Sequence, residues 1–303
     1  MDNFYFVRFC CDVIQQFNLL LEYFYQSSGM ELQKMAVALV ACLCLLVFGA
    51  TTSQAGHPAH PDPKLINPLR IMPEASSGDS VSVNNCLSWR LTVETNNKRN
   101  WNGVPEICGN YVAHYMTGKQ YGYDCDAVVD IAIEYVKSLP IPRDGRSIWI
   151  FDIDDTALSN LPFFSRPDVF FGVKTDNAEL EAEFYEFVLT AEVPVLEATL
   201  RLYQAVVEAG IKAVFLTGSS ERSADARDKN LKAVGYHTWE KLILKPDSVT
   251  TSVQAFKSEV RDQLVAEGYR IEGNIGDQWA DIVGSNVGRR TFKLPNPMYY
   301  GYY

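Results

Sequence analysis

From Ser147 onward the chain alternates apolar runs of strand length with amphipathic stretches of helix length, an order that few folds accept. The strand-like runs are Ser147 to Ile153, Lys212 to Leu216, Lys241 to Leu244, Tyr269 to Ile275 and Arg290 to Leu294. Helical patterns fill Glu197 to Ala209, Ser220 to Val234 and Ser252 to Glu267, and Gly210, Gly235 and Gly268 stand where helix C-caps belong. Runs with no polar face are buried on both sides, so the expected fold class is α/β, a parallel sheet covered by helices on both faces. Upstream, Cys86 to Leu139 reads as helical. Within it "DCDAVVDIAIEYVKSL" (124–139) gathers Val128, Ile131, Ala132, Ile133 and Val136 on one face before Pro140 stops it.

In parallel sheets chemistry collects beyond the carboxyl ends of the strands. The first run, "SIWIFDIDDTALSNLPFF" (147–164), ends in Asp152, Asp154 and Asp155. The second runs into Thr217-Gly218-Ser219-Ser220, read as the opening of a helix, and "YRIEGNI" is followed by Gly276-Asp277-Gln278-Trp279-Ala280-Asp281. Lys257 lies in the helical stretch before that last strand. Carboxylates from two strand ends repel in a desolvated cleft, and a divalent cation removes the conflict. An all-oxygen site with room for water and phosphate suits Mg²⁺. Thr217 and the amides of the helix start would make an anion-binding corner, and Lys257 would add a positive charge for a phosphoryl group. One carboxylate beside such a pocket can attack phosphorus, and a second can protonate the leaving oxygen and then activate water.

Each element also has a plain structural reading. A lone Asp after a strand is usually a helix cap, Thr-Gly-Ser a capping turn, Lys257 a solvated helix residue and Asp281 a helix-surface charge. A calcium loop of EF-hand type counted from Asp152 fails, because its sixth and twelfth positions are Ala157 and Phe163 instead of Gly and Glu. Only the joint occurrence, in order along one rim, favours a site.

The net charge of -10 argues against nucleic acid or an anionic membrane as partner. The four histidines, two of them in the Pro-rich segment 56–80, are poor material for a histidine nucleophile or a dinuclear metal centre. At the N-terminus, Met30 to Lys34 leads into an uncharged apolar run from Met35 to Ala50, followed by Ser53-Gln54-Ala55. That order is a secretory signal over about 30–55, with a run shorter than the ~18 residues of a membrane span. A single-pass anchor is the rival reading. Translation starting at Met30, or cleavage of residues 1–29 together with the signal, would account for the extension before it. Residues 56–80 read as an irregular arm and 81–303 as the folded domain. Removing the signal takes Cys10, Cys11, Cys42 and Cys44 and leaves Cys86, Cys108 and Cys125, an odd count. One disulfide, taken as Cys86–Cys108, and one free thiol are expected in an oxidising compartment. The sequence holds no Asn-x-Ser/Thr acceptor.

The strand-end residues resemble the haloacid dehalogenase superfamily, whose phosphatases carry Asp-x-Asp-x-Thr, a strand-end Thr or Ser, a Lys and a late acidic pair. Here these are "DIDDT" (152–156), "FLTGS" (215–219), Lys257 in "FKSEVR" and "GDQWAD" (276–281). "CLSWRLTVETNN" (86–97) and "GYRIEGNIGDQWADIVG" (268–284) look like its plant acid phosphatase and vegetative storage protein branch. The resemblance covers about 80–298. It implies a Rossmann-like core with a helical N-terminal extension and a small helical cap inserted after the first strand, about 159–193. By the same likeness Asp152 is the nucleophile and Asp154 the acid/base, Thr217, Gly218 and Lys257 hold the phosphate, and Asp152, the backbone carbonyl of Asp154 and Asp277 bind Mg²⁺ with Asp281 in support.

The implied protein is a Mg²⁺-dependent acid phosphatase acting on a small phosphorylated substrate. It would be secreted or vacuolar, free of the membrane once the signal is removed, and open to homodimer formation through its N-terminal region. Two departures from the branch stand out. Asp155 replaces a common Glu, and Ser219 replaces the Arg that often follows Thr-Gly, leaving open whether Arg222 compensates. The alternative is a storage or defence protein with vestigial activity, although the nucleophilic Asp that some storage proteins have lost is kept as Asp152. A dehalogenase would need neither Asp154 nor Asp277, while a phosphotransferase shares the first half of the reaction and stays open. Aromatics in the cap segment, "LPFFSRPDVFFGVKTDNAELEAEFYEFVL", can line an entrance or form the cap's own core.

Overall fold

The computed structural model describes residues 79–175 and 179–301; the expected signal and all but the last two residues of the expected arm lie outside them. Five strands form one parallel sheet: β1 (Ser147–Phe151), β2 (Lys212–Ser220), β3 (Lys241–Lys245), β4 (Arg270–Gly276) and β5 (Thr291–Lys293), in the order β3-β2-β1-β4-β5. β1 is central and buried along its whole length, as its unbroken apolar run requires.

Alternate side chains of that strand feed two cores. Ile148 and Ile150 join Val214, Leu216 and Ile271 against Phe256, Val260 and Leu264 of a helix over Val253–Ala266. Trp149 and Phe151 point the other way, with Ala213 and Phe215, into a larger cluster. Helices over Lys119–Ser138 and Glu197–Glu208 cover that face with Val129, Ala132 and Val136 from the first and Leu202 and Val206 from the second. Gly210, Gly235 and Gly268 end their helices at positive φ (77°, 113° and 89°), the left-handed conformation a helix C-terminus favours and only glycine adopts freely.

In chain order the α-helices are α1 (Asp79–Glu94), α2 (Gly109–Thr117), α3 (Lys119–Ser138), α4 (Leu161–Phe164), α5 (Leu180–Leu189), α6 (Glu197–Glu208), α7 (Ala224–Ala233), α8 (Val253–Ala266) and α9 (Trp279–Ile282). α1 begins two residues inside the segment expected to be irregular, and residues 95–105 interrupt the helical reading of 86–139. No helix among the described residues is long and apolar enough to cross a membrane.

A disulfide joins Cys86 of α1 to Cys108 at a Cα–Cα distance of 5.3 Å, the expected pairing, and Cys125 is a free, buried thiol that burial pushes up to about 12. The bridge closes a loop with a sequence separation of 22. Constraining an unfolded loop of that size stabilises by about 3 kcal/mol. Cys108→Ser should therefore lower the unfolding free energy, read from urea midpoints, by roughly that amount; a midpoint equal to wild type would show that the bridge constrains nothing.

Between β1 and α6 the chain leaves the core layer and returns. Ser159 N donates to Pro194 O at 2.8 Å and Leu158 bridges Val195, so both ends of the excursion are pinned together. α4, a 3₁₀ turn at Phe170–Gly172 and α5 lie within it. Its aromatics pack on one another and on the C-terminal tail: Phe163 lies 5.1 Å from Phe184 and 5.6 Å from Phe187, and Phe164 stacks on Tyr299 at 4.9 Å.

Candidate active site

β1 ends at a tight turn. Three successive amides, of Thr156, Ala157 and Leu158, converge on Ile153 O at 2.9–3.3 Å, and Asp155 takes φ 51°. Asp tolerates that left-handed conformation better than most side chains. The buried Asp155 carboxylate then accepts from the Asn160 amide and the Tyr299 hydroxyl, each at 2.8 Å, tying the turn to the cap entrance and the C-terminal tail. The turn sends the residues on either side of Ile153 to different partners.

Asp152, 6% exposed, accepts from Lys257 Nζ at 2.5 Å. The same ammonium donates to Asp281 Oδ1 at 2.5 Å. Lys257 is 2% exposed on α8, so the plain reading as a solvated helix residue does not hold. Nor is Asp281 a surface charge: it is 5% exposed and its Oδ2 caps α9 through the Gln278 amide at 2.9 Å. Asp277, 1% exposed, accepts from Thr156 Oγ1 at 3.1 Å, Gln278 Nε2 at 2.6 Å and Asn296 Nδ2 at 2.7 Å. One carboxylate oxygen from each of Asp152, Asp277 and Asp281 falls within 4.8 Å of the others.

Asp154 faces a different set of donors. Its Oδ2 accepts from Ser219 Oγ at 2.7 Å and Thr217 Oγ1 at 3.2 Å, and its Oδ1 from Asn160 Nδ2 at 3.0 Å and the Arg227 guanidinium. The strand-end turn differs here from the sequence expectation. β2 runs on through Ser220, with a register shift between Leu216 and Ser220; Ser220 then caps a 3₁₀ turn over Glu221–Ser223 by accepting from the Arg222 amide at 3.3 Å, and α7 follows from Ala224. Thr217 and Gly218 therefore lie within β2, ahead of that turn and not at the helix N-terminus itself. Ser220 is fixed by donating to Asp247 Oδ1 at 2.6 Å. Arg222 lines the same cavity but is paired with Asp247 at 2.7 Å, and the guanidinium that meets Asp154 belongs to Arg227.

A cavity of about 620 Å³ opens over this rim. Asp152, Asp154, Thr217, Gly218 and Lys257 line it together with Asp277 and Asp281, so all the expected site residues share one space. Phe184 and Tyr185 of α5 and Tyr299 also line it.

The electrostatics are unbalanced. Five carboxylates (Asp152, Asp154, Asp155, Asp277, Asp281) meet two cations in direct ion pairs, Lys257 and Arg227. Burial, reinforced by Asp281, drives the Asp152 carboxyl well above the usual range despite Lys257. Burial pushes Asp155 up to about 7, and burial with Asp281 and Asp155 does the same for Asp277. Burial works on Asp154 in the same sense, but Arg227 and the bonds from Ser219, Asn160 and Thr217 outweigh it and hold that carboxyl low. Lys257 is kept charged: burial would depress its ammonium, and Asp152 with Asp281 more than reverses that. Three buried carboxylate oxygens with surplus negative charge are the donor set of a hard divalent cation, so the residues present fit one.

Stability of the metal-free protein should reflect this surplus. A carboxyl raised in the folded state to about 7, from about 3.9 when unfolded, favours folding fully below the lower value and loses that contribution as pH rises through the upper one. With a chelator present the melting temperature should be higher at pH 5 than at pH 8, and a divalent cation should narrow the difference. A melting temperature that climbs with pH in chelator would show that these acids are not strained.

Arg227, Asn160, Asn296 and Tyr299 belong to the site without having been singled out as members in the sequence. Arg227 carried the one readable signal: α7 buries Arg227, Asn230 and Leu231, a stripe at helical spacing whose first two members are polar.

A family model described as "HAD superfamily, subfamily IIIB (Acid phosphatase)" matches residues 73–302. "Acid phosphatase 1" of Solanum lycopersicum is 42% identical over 85% of this chain and 97% of its own length. "Vegetative storage protein 1" of Arabidopsis thaliana is 42% identical over 74% and 81%. Among solved structures, the class C acid phosphatase of Bacillus anthracis superposes with a TM-score of 0.51 at 19% identity, covering 62% of this chain and 83% of that one, and shares the fold.

Proposed function

The chain belongs to the acid phosphatase subfamily IIIB of the haloacid dehalogenase superfamily, and from that membership we propose that it hydrolyses phosphate monoesters through an aspartyl-phosphate on Asp152. The observation that carries this reading is that Asp152 and Asp154 line one cavity, with Lys257 bonded to the first and Thr217 to the second.

Asp152 attacks phosphorus, the bond to the ester oxygen breaks, and its electron pair leaves on that oxygen, which takes a proton from Asp154; because Arg227 and its neighbours hold that carboxyl low, the proton reaches Asp154 from the incoming ester monoanion. Water then attacks phosphorus and gives a proton to Asp154. The bond to Asp152 breaks, releasing inorganic phosphate and restoring both groups. Lys257, Thr217 and the Gly218 backbone hold the phosphoryl oxygens. Asp152, Asp277 and the backbone carbonyl of Asp154 would hold Mg²⁺, with Asp281 alongside. When bound, the ion neutralises phosphoryl charge and aligns the ester for in-line attack.

The disulfide Cys86–Cys108 and the signal-like segment support passage through the secretory pathway to an extracellular or vacuolar destination. A homodimer through the N-terminal region belongs to the same proposal, since Leu87 and Leu91 of α1 are 50% and 62% exposed.

The similarity to vegetative storage protein 1 favours a second reading in which turnover is vestigial. Assays on p-nitrophenyl phosphate with Mg²⁺, with chelator and with Mg²⁺ restored separate the two. The phosphatase reading expects activity that disappears with chelation and returns with the ion; a purified, folded protein inert in all three would leave storage.

A further inference from the structure

Among the described residues two guanidinium groups are buried in full, and they are bonded differently. Arg261, 0% exposed, donates to Ser285 O, Asp281 O, Val283 O and Ser258 Oγ at 2.7–3.0 Å, so its nitrogens are spent on holding the loop after α9. Arg227, also 0% exposed, donates to Asp154 alone, and its Nε and Nη1 bond to no protein group. A buried cation is costly unless it is paired, and a structural arginine normally satisfies most of its donors. Arg227 leaves two unmet and keeps its single bond for the carboxylate beside the nucleophile. Its place in the fold is tied to Asp154.

The two oxygens of Asp154 have chemically distinct partners. Oδ1 accepts from the Arg227 and Asn160 nitrogens, donors that cannot reverse. Oδ2 accepts from the Thr217 and Ser219 hydroxyls, which can rotate and accept instead. Thr217 and Ser219 line the cavity, whereas Arg227 and Asn160 are fully buried. We infer that Arg227 is a positioning residue that fixes Oδ1 of Asp154 and leaves Oδ2, on the cavity side, as the atom that passes a proton to the leaving oxygen and takes one from water. The inference rests on the phosphatase reading above. A second element supports it. One turn along α7, Asn230 clamps the cap's return segment by accepting from Val193 N at 3.0 Å and donating to Val193 O at 2.9 Å. The helix that carries Arg227 is thus anchored at the base of the cap, which keeps the guanidinium in register with Asp154.

The test compares two esters in the intact protein with Mg²⁺. p-Nitrophenyl phosphate has a leaving group that needs little protonation, while β-glycerol phosphate has an alkoxide that needs a proton. General acid help is worth about 10²–10⁴-fold where it is required. Arg227→Ala should therefore lower kcat/KM about 100-fold or more on the alkyl ester and less than about tenfold on the aryl ester. Guanidinium ion at non-denaturing concentration should restore part of the alkyl activity in Arg227→Ala but not in Arg227→Met, which fills the space. A purely structural role would lower both esters together and would not be rescued. Equal losses on the two esters, no loss on either, or variants that do not fold even with Mg²⁺ and phosphate present would each overturn the inference. A wild type inert on both esters would instead remove the phosphatase reading itself, and the inference with it; a wild type active on both keeps that reading whatever Arg227 does.

Discussion

Asp152→Asn should lower kcat on p-nitrophenyl phosphate by at least about 10³-fold, because an amide cannot attack phosphorus and no second carboxylate can replace it in line. Asp154 cannot do so, since its two oxygens are held by Arg227, Asn160, Thr217 and Ser219. Asp277 is bound by Thr156, Gln278 and Asn296, and Asp281 by Lys257 and the Gln278 amide. The fold should survive the change. Asp152 is one of five carboxylates facing two cations, and Lys257 keeps Asp281 as its partner. Neutralising Asp152 relieves repulsion, so the melting temperature in chelator should stay level or rise while activity is lost. Activity within tenfold of wild type would remove Asp152 from the reaction. A large fall in melting temperature would show that its charge holds the structure together.

Lys257→Met should have the opposite balance, with a large stability loss accompanying the loss of activity. Lys257 bridges Asp152 and Asp281 at 2.5 Å each, and all three groups are buried. Removing the cation leaves two carboxylates facing each other in a desolvated site, and breaking a buried pair in this way costs about 3–5 kcal/mol. For a domain of this size that corresponds to a fall in melting temperature of about 10 °C. A divalent cation binding the acids should recover part of it, by about 2.7 kcal/mol when present at 100 times its dissociation constant. The variant should therefore gain more from Mg²⁺ than wild type does. An unchanged melting temperature would mean that Lys257 does not balance these acids.

The alternation of apolar runs and amphipathic stretches was enough to read the sheet and most of its helices, because a strand buried on both faces has no freedom in pattern. β1 shows this most clearly, since Ile148 to Phe151 each enter one core or the other and Ser147 is buried against Glu272. The end of β2 was less legible. Thr217-Gly218-Ser219-Ser220 has the composition of a capping turn, and Ser220 does cap the 3₁₀ turn over Glu221–Ser223, but its pairing with Lys245 and the bond to Asp247 also carry the strand through it. Those partners come from residues distant in sequence, which local pattern does not encode.

The charged residues of the site divide in the same way. Asp152, Asp154 and Asp277 were visible because they sit at strand ends, where position alone implies convergence. Lys257 and Asp281 joined the expected site only through the combined pattern and the family resemblance, since each taken alone could be a solvated charge; their mutual burial removes that reading. Arg227 sits mid-helix and could be recognised only by noticing that a buried stripe opens with a charged residue. Asn296 and Tyr299 reach Asp277 and Asp155 from a C-terminal tail with no regular pattern at all.

One acid-quenched single turnover tests the account at its centre. Wild-type protein mixed with Mg²⁺ and a radiolabelled phosphate monoester should carry label on the peptide containing Asp152. The label should be absent in Asp152→Asn and in wild type treated with chelator. Product formation with no label on the chain, or label mapped to any residue other than Asp152, would contradict the claim that this carboxylate takes the phosphoryl group.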